Sequence, residues 1–133
     1  MERHRVWSYQ SLDAWKGTLL SLLTEENLKL LYKTFCRMEP FNKLNMPHAH
    51  QIKLKVTRRK DIMGEFAPEE NTIYISSTKN GHFDTVCKTL LHEMAHLYCY
   101  KAKEQEYHDH DNKRFKSIIR HIASLYGFDP KEL

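Results

Sequence analysis

His92 and His96 stand four residues apart, with Glu93 between them, in the run Thr89-Leu90-Leu91-His92-Glu93-Met94-Ala95-His96. On a helix the two histidines lie about 40° apart around the axis and about 6 Å apart along it. Imidazoles so placed both reach one ion at about 2.0–2.1 Å, as zinc requires. Glu93 falls about 60° from His96 around the same axis, so it flanks the ion without binding it and can accept a proton from water. Zinc lowers the pKa of water from about 15.7 towards 7. The carboxylate then relays the proton to a leaving amine. The chemistry expected of these three residues is hydrolysis of an amide.

Nine histidines and eleven glutamates in 133 residues produce such a pentapeptide by chance in about one chain of this composition in twenty. Its neighbours strengthen it. Leu90, Leu91, Met94, Ala95 and Leu97 make the surrounding helix heavily apolar, as for a buried one. Histidines and a glutamate in that setting need partners, and a metal with its water satisfies all three. A catalytic zinc site also needs a third protein ligand and an open fourth position. Cys99 and Ala102 stand where a metzincin needs Gly and His, which excludes that subclass. The remaining candidates are His108, His110, Asp111, Glu104 and Glu106. His110 is preferred, because it directly precedes Asp111, a natural N-cap, and so sits on the entry of a helix able to fold back across the first.

The elements that position these residues are legible in the apolar spacing. Leu12, Trp15, Leu19, Leu20, Leu22 and Leu23 predict a first helix capped by Ser8 or Ser11. Thr24 followed by Glu25 and Glu26 predicts the start of a second, which Pro40 stops. Ile52–Arg59, the stretch around Gly64-Glu65-Phe66 and Thr72–Ser76 read as three strands of an antiparallel meander, with turn chemistry at Pro68-Glu69-Glu70-Asn71. The motif helix is expected from a cap at Asp84 to about Tyr100. A last helix runs from about Asp111 to Gly127, with Phe115, Ile118, Ile119, Ile122 and Leu125 on its apolar side. The expected fold class is α+β: one minimal zincin-like domain over residues 1–133, with N-terminal helices, a three-stranded antiparallel sheet, the motif helix and a C-terminal helix.

Composition narrows the setting. A content of 41% apolar and 29% charged residues is that of an ordinary globular protein. No apolar run approaches the roughly 20 residues that cross a bilayer, so no membrane role is expected. The charged start, Met1-Glu2-Arg3-His4-Arg5, lacks the apolar stretch of a signal peptide. The expected location is cytoplasmic, and the default state a monomer. Cys36, Cys87 and Cys99 form no C-x-x-C pair, which argues against a disulfide framework or zinc ribbon and for reduced, buried thiols. The net charge of +4 is compatible with a polyanion partner without diagnosing one. Lys53, Lys55, Arg58, Arg59 and Lys60 cluster on the first strand, and Lys113, Arg114, Lys116 and Arg120 on the last helix. Both clusters could neutralise phosphates. Trp7, Trp15 and Tyr74 could stack on bases, although core packing suits each. His48 and His50 form an H-x-H pair in a loop, a setting that is more often solvent-exposed than metal-binding. The strand Thr72–Ser76 could offer an open edge to an extended peptide, and Tyr98, Tyr100 and Tyr107 are possible oxyanion donors.

Over residues 52–126 the chain resembles the SprT-like family of metallopeptidases, which includes Spartan and is related in pattern to the WLM peptidases. The resemblance rests on the basic strand Ile52–Arg59, the short strand with Gly64 and Phe66, the strand Thr72–Ser76, the run Thr89–His96 and His110-Asp111-Asn112-Lys113-Arg114-Phe115. It implies zinc as cofactor, with His110 in the third-histidine element, and protein substrates trapped on or bound to DNA. A DNA-associated, nucleoid location would follow. Two other functions share the two-histidine motif. A regulatory peptidase of the ImmA/IrrE kind, cleaving a repressor, would use an acidic third ligand such as Glu104 or Glu106. A non-catalytic zinc-stabilised DNA-binding module would close the ion with four protein ligands.

Overall fold

A computed structural model describes residues 23–133. The helix expected before Leu23, with Trp7 and Trp15, lies outside the described residues. Helix α1 (Glu25–Cys36) begins at Thr24, whose side chain accepts from the Asn27 N–H at 3.1 Å, with Glu25 and Glu26 in the first turn. Strands β1 (Lys53–Thr57), β2 (Gly64–Ala67) and β3 (Thr72–Ser76) follow. Helix α2 (Phe83–Lys101) carries the motif, and helix α3 (Lys113–Tyr126) ends at Gly127 in the left-handed conformation that glycine adopts without strain. The fold is α+β, as the apolar spacing predicts.

The sheet is mixed rather than an antiparallel meander. Its order is β1-β3-β2: β1 runs parallel to β3, from Lys53 opposite Thr72 to Thr57 opposite Ser76, and β2 pairs antiparallel with β3. Burial explains the order. Thr72, Ile73, Ile75 and Ser76 of β3 are all buried, so this strand is covered on both faces and belongs in the centre. In β1 only Leu54 is buried while Lys53 and Lys55 are exposed, a pattern suited to an edge. The segment between β1 and β2 crosses the end of β3 and is tied there. Ser76 Oγ donates to the Arg59 carbonyl at 2.5 Å, Thr78 Oγ1 to the Arg58 carbonyl at 2.9 Å and Ser76 N–H to the Met63 carbonyl at 2.9 Å. Because β3 is paired on both sides, it has no open edge for a peptide. Among the described residues, β2 is the edge strand beside the motif helix.

The core lies between the sheet and the helices. Leu28 and Tyr32 of α1, Ile73 and Ile75 of β3, Leu90, Leu91, Met94 and Leu97 of α2 and Ile118, Ile119 and Ile122 of α3 form one buried cluster. α2 is buried around most of its circumference, which is why its sequence is apolar on more than one face. The three cysteines are free, Cys87 and Cys99 buried. No described helix is long and apolar enough to cross a membrane.

Candidate metal centre

α2 and the approach to α3 bring His92, His96 and His110 together. His92 Nε2 lies 3.2 Å from His96 Nε2 and 3.2 Å from His110 Nε2. Two ligands at about 2.0–2.1 Å on a tetrahedral ion stand about 3.4 Å apart, so the spacing is that of ligands sharing one centre. Proton placement adds a second test. His96 Nδ1 lies 2.8 Å from the Tyr107 carbonyl and His92 Nδ1 lies 2.5 Å from the main-chain oxygen of Leu133. Main-chain oxygens only accept, so each Nδ1 carries the proton and, in the neutral rings, each Nε2 presents a bare lone pair. Lone pairs converging at this distance repel unless a cation lies between them. The donor set therefore fits zinc, which favours imidazole and a four-coordinate geometry.

The surroundings of His92 and His96 keep both imidazoles neutral. Burial lowers His96 to about 4, against the hydrogen bond to the Tyr107 carbonyl. Burial likewise holds His92 below its ordinary value, opposed by its bond to Leu133 and reinforced by nearby His110. Phe115, at the start of α3, packs against all three rings: stacked on His96 at 4.3 Å, beside His110 at 5.4 Å and edge-on to His92 at 5.2 Å. Sequence spacing marks Phe115 as a core residue, and the structure adds this contact with the cluster.

His110 joins the cluster from the loop rather than from a helix entry. The N-cap of α3 is Asn112, not Asp111: its side chain accepts from the Phe115 N–H at 3.0 Å. Exposed Asp111 instead lies 3.4 Å from Lys116. The motif helix likewise starts two residues earlier than expected, with its cap at His82 rather than at Asp84, which lies in the first turn. Glu104 is held by Asn112 at 3.2 Å and Arg114 at 3.6 Å. Glu106 is exposed, and the His108 ring packs on Tyr107. Among the described residues, His92, His96 and His110 form the one group of three or more His, Cys, Asp or Glu side chains placed to share an ion. His48 and His50 stack on each other, their rings 5.6 Å apart.

Glu93 is 6% exposed and faces β2. Burial raises its carboxyl to about 8; its hydrogen bond with the Phe66 backbone opposes this and Glu65 adds to it. Glu93 and His92 line a cleft of about 380 Å³ with Met63, Gly64, Lys88 and Thr89. Asn80, itself buried, ties together two residues of this lining, Met63 and Thr89. Its amide donates to the carbonyls of Met63 (3.0 Å) and Ser76 (2.6 Å) and its oxygen accepts from Thr89 Oγ1 (2.8 Å). The Tyr98 hydroxyl accepts from Arg114 at 3.2 Å, while Tyr100 and Tyr107 pack on Phe66.

Gly64 is needed for this close approach. A Cβ there would lie 2.6 Å from Thr89 Cγ2, 3.0 Å from the Tyr74 carbonyl and 3.3 Å from Glu93 Cγ. Gly64→Ala is expected to destabilise the fold by about 1–3 kcal/mol, the usual range for overpacking. It should also reduce hydrolysis beyond what the lost stability explains, because β2 must retreat from Glu93. Denaturant midpoints and cleavage rates measured on the folded variant check both effects.

The SprT-like family model matches residues 25–132, nearly all of the described chain. No curated protein matches the sequence, and no solved structure does. With the histidine cluster and β2 lying inside the matched span, the chain belongs to the SprT-like family.

Proposed function

We propose that this chain is a zinc-dependent endopeptidase that acts on proteins bound or crosslinked to DNA. The observation that carries the peptidase reading is the convergence of three imidazoles beside a buried glutamate in an open cleft. Three protein ligands leave a fourth position for water or substrate, unlike the four ligands of a closed structural site. A histidine rather than Glu104 or Glu106 in third place favours this reading over a repressor-cleaving peptidase.

His92, His96 and His110 would hold the ion. Zinc, when bound, supplies a Lewis acid that polarises the scissile carbonyl and makes water acidic enough to ionise near neutral pH. Glu93 then takes a proton at its carboxylate and delivers it to the departing nitrogen. A divalent charge beside Glu93 draws its raised pKa back down, so that it starts as the base. The outer edge of β2 offers main-chain groups to an extended peptide, a recognition mode with little demand on side chains. This suits an enzyme with varied protein substrates.

Support for DNA comes from the family and from cations around the centre. Lys116, Arg120 and Lys131 line a depression of about 350 Å³ that also contains His92 and His110. On the first strand, Lys53 and Lys55 point outward, whereas Arg59 is engaged by Asp61 at 2.7 Å and Glu65 at 2.9 Å. Lys116, Arg120 and Lys131 stand beside the centre itself, so they are the better placed phosphate contacts. Purified protein is expected to bind about one zinc per chain. Its DNA affinity should fall with salt at a log–log slope of about −0.9 per duplex phosphate contact. Replacing Lys113, Lys116 and Arg120 by alanine should flatten that slope and slow cleavage of a DNA-crosslinked protein much more than cleavage of a free unfolded one. Equal losses on both substrates, or no DNA binding by the parent at low salt, would remove the DNA-directed role and leave a general peptidase.

A further inference from the structure

Residues 128–133 follow α3 and cross the outer face of α2 at the motif. Gly127 turns the chain out of the helix, and Phe128 packs against the core with its ring 5.4 Å from Lys88 Nζ. A short turn over Pro130–Glu132 follows, closed by its own bonds. The Asp129 side chain accepts from the Lys131 N–H at 3.0 Å, and the Asp129 carbonyl accepts from the Glu132 N–H at 2.9 Å. Glu132 reaches Lys88 Nζ at 3.1 Å. One residue later the main-chain oxygen of Leu133 meets His92 Nδ1. Lys88 and His92 are four apart on α2 and so share a face. The segment is pinned at the first and delivers an acceptor to the second.

We propose that this segment is a positioning arm for the metal centre: Lys88 anchors it through Glu132 and Phe128, and its main-chain oxygen at Leu133 orients His92. The inference rests on the zinc reading above. An imidazole whose Nδ1–H is engaged keeps Nε2 free and aimed at the ion, and loss of such an outer partner typically costs about 10- to 100-fold in metal affinity. His96 has an equivalent acceptor in the Tyr107 carbonyl, from the loop before α3. The two ligands on α2 are therefore each steered by a segment flanking the same neighbouring helix. The arm also shapes access, because Leu133 lines both the Glu93 cleft and the basic depression beside His110. Since the acceptor is a main-chain atom, the side chains that matter are those that place it.

The test is zinc affinity, measured by chelator competition on the full chain, alongside thermal melting of the metal-free proteins. In one variant residues 129–133 are exchanged for a Gly/Ser sequence of equal length; Lys88→Met and Lys88→Arg are the others. The exchanged arm is expected to weaken zinc by about 10- to 100-fold. Lys88→Met should weaken it less, and Lys88→Arg should restore parental affinity, since Arg keeps the ion pair and the contact with the Phe128 ring. Cobalt-loaded protein should show a changed visible spectrum in the first two only. A folded exchanged-arm variant with parental zinc affinity would overturn the proposal. If that variant does not fold, the Lys88 pair decides, and parental affinity in Lys88→Met overturns it. Failure of the parent itself to bind zinc would instead strike the metal reading on which the arm depends.

Discussion

Glu93→Gln is expected to keep its zinc and its fold while cleaving an unfolded protein about 10²- to 10⁴-fold more slowly than the parent, the range that a positioned acid–base group contributes. The amide is nearly the same size as the carboxyl it replaces, yet it cannot take up a proton and pass it on. A parental rate in this variant would exclude Glu93 as the base. The same substitution has a signature without metal. Glu93 titrates near 8 in the fold against 4.5 ordinarily, so between these values the folded state holds a proton that the unfolded chain releases. Its contribution to stability is complete below about pH 4.5 and is lost as pH rises through about 8. His96 works in the opposite sense. With its folded value at about 4 against 6.5 ordinarily, its contribution is complete above about pH 6.5 and is lost as pH falls through about 4. The His96 dependence is common to parent and variant. Melting curves of the metal-free proteins from about pH 5 to about pH 8.5 should therefore show Glu93→Gln gaining on the parent as pH rises. A constant difference across that range would mean that Glu93 ionises freely in the fold.

Removing a ligand histidine should have the other large effect. Structural zinc sites bind with about 10–16 kcal/mol shared over four ligands. One ligand then accounts for about 2.5–4 kcal/mol, or about two to three decades of affinity. His110→Ala is expected to lose that much zinc affinity with little loss of fold, because the side chain is exposed. His96→Ala should lose zinc similarly and also melt at lower temperature without metal, since it vacates the face of Phe115 and frees the Tyr107 carbonyl. His108→Ala and Asp111→Ala should bind zinc as the parent does. The reverse order, with His110→Ala unaffected and either of the others impaired, would move the third ligand. Zinc titrations of the four variants decide it.

Much of this organisation is legible in residue types and spacing. The start of α1 at Thr24, the bounds of β3 and the end of α3 at Gly127 follow from local chemistry: a side-chain cap, β-branched alternation and a left-handed glycine. The histidine cluster is legible for a related reason. A helix holds His92 and His96 on one side whatever surrounds it, and His110 falls close enough in sequence to fold back on them. Where expectation and structure part, the cause is non-local. Asp111 and Asn112 are both good caps, and which of them serves depends on where the loop must place His110. The mixed sheet turns on β3 needing cover on both faces, which becomes visible only once α2 and its neighbouring strands are in place.

The sequence by itself determined the α+β composition, the two-histidine helix with its adjacent glutamate and a third histidine within reach, because each depends on side-chain identity and the period of one element. Tertiary structure alone decided which edge is open, how closely β2 approaches Glu93 at Gly64, and which oxygens hold the Nδ1 atoms of His92 and His96. The last two acceptors are main-chain atoms of Tyr107 and Leu133. Every residue carries such an oxygen, so no residue type marks them, and only the path of the chain brings them to the imidazoles.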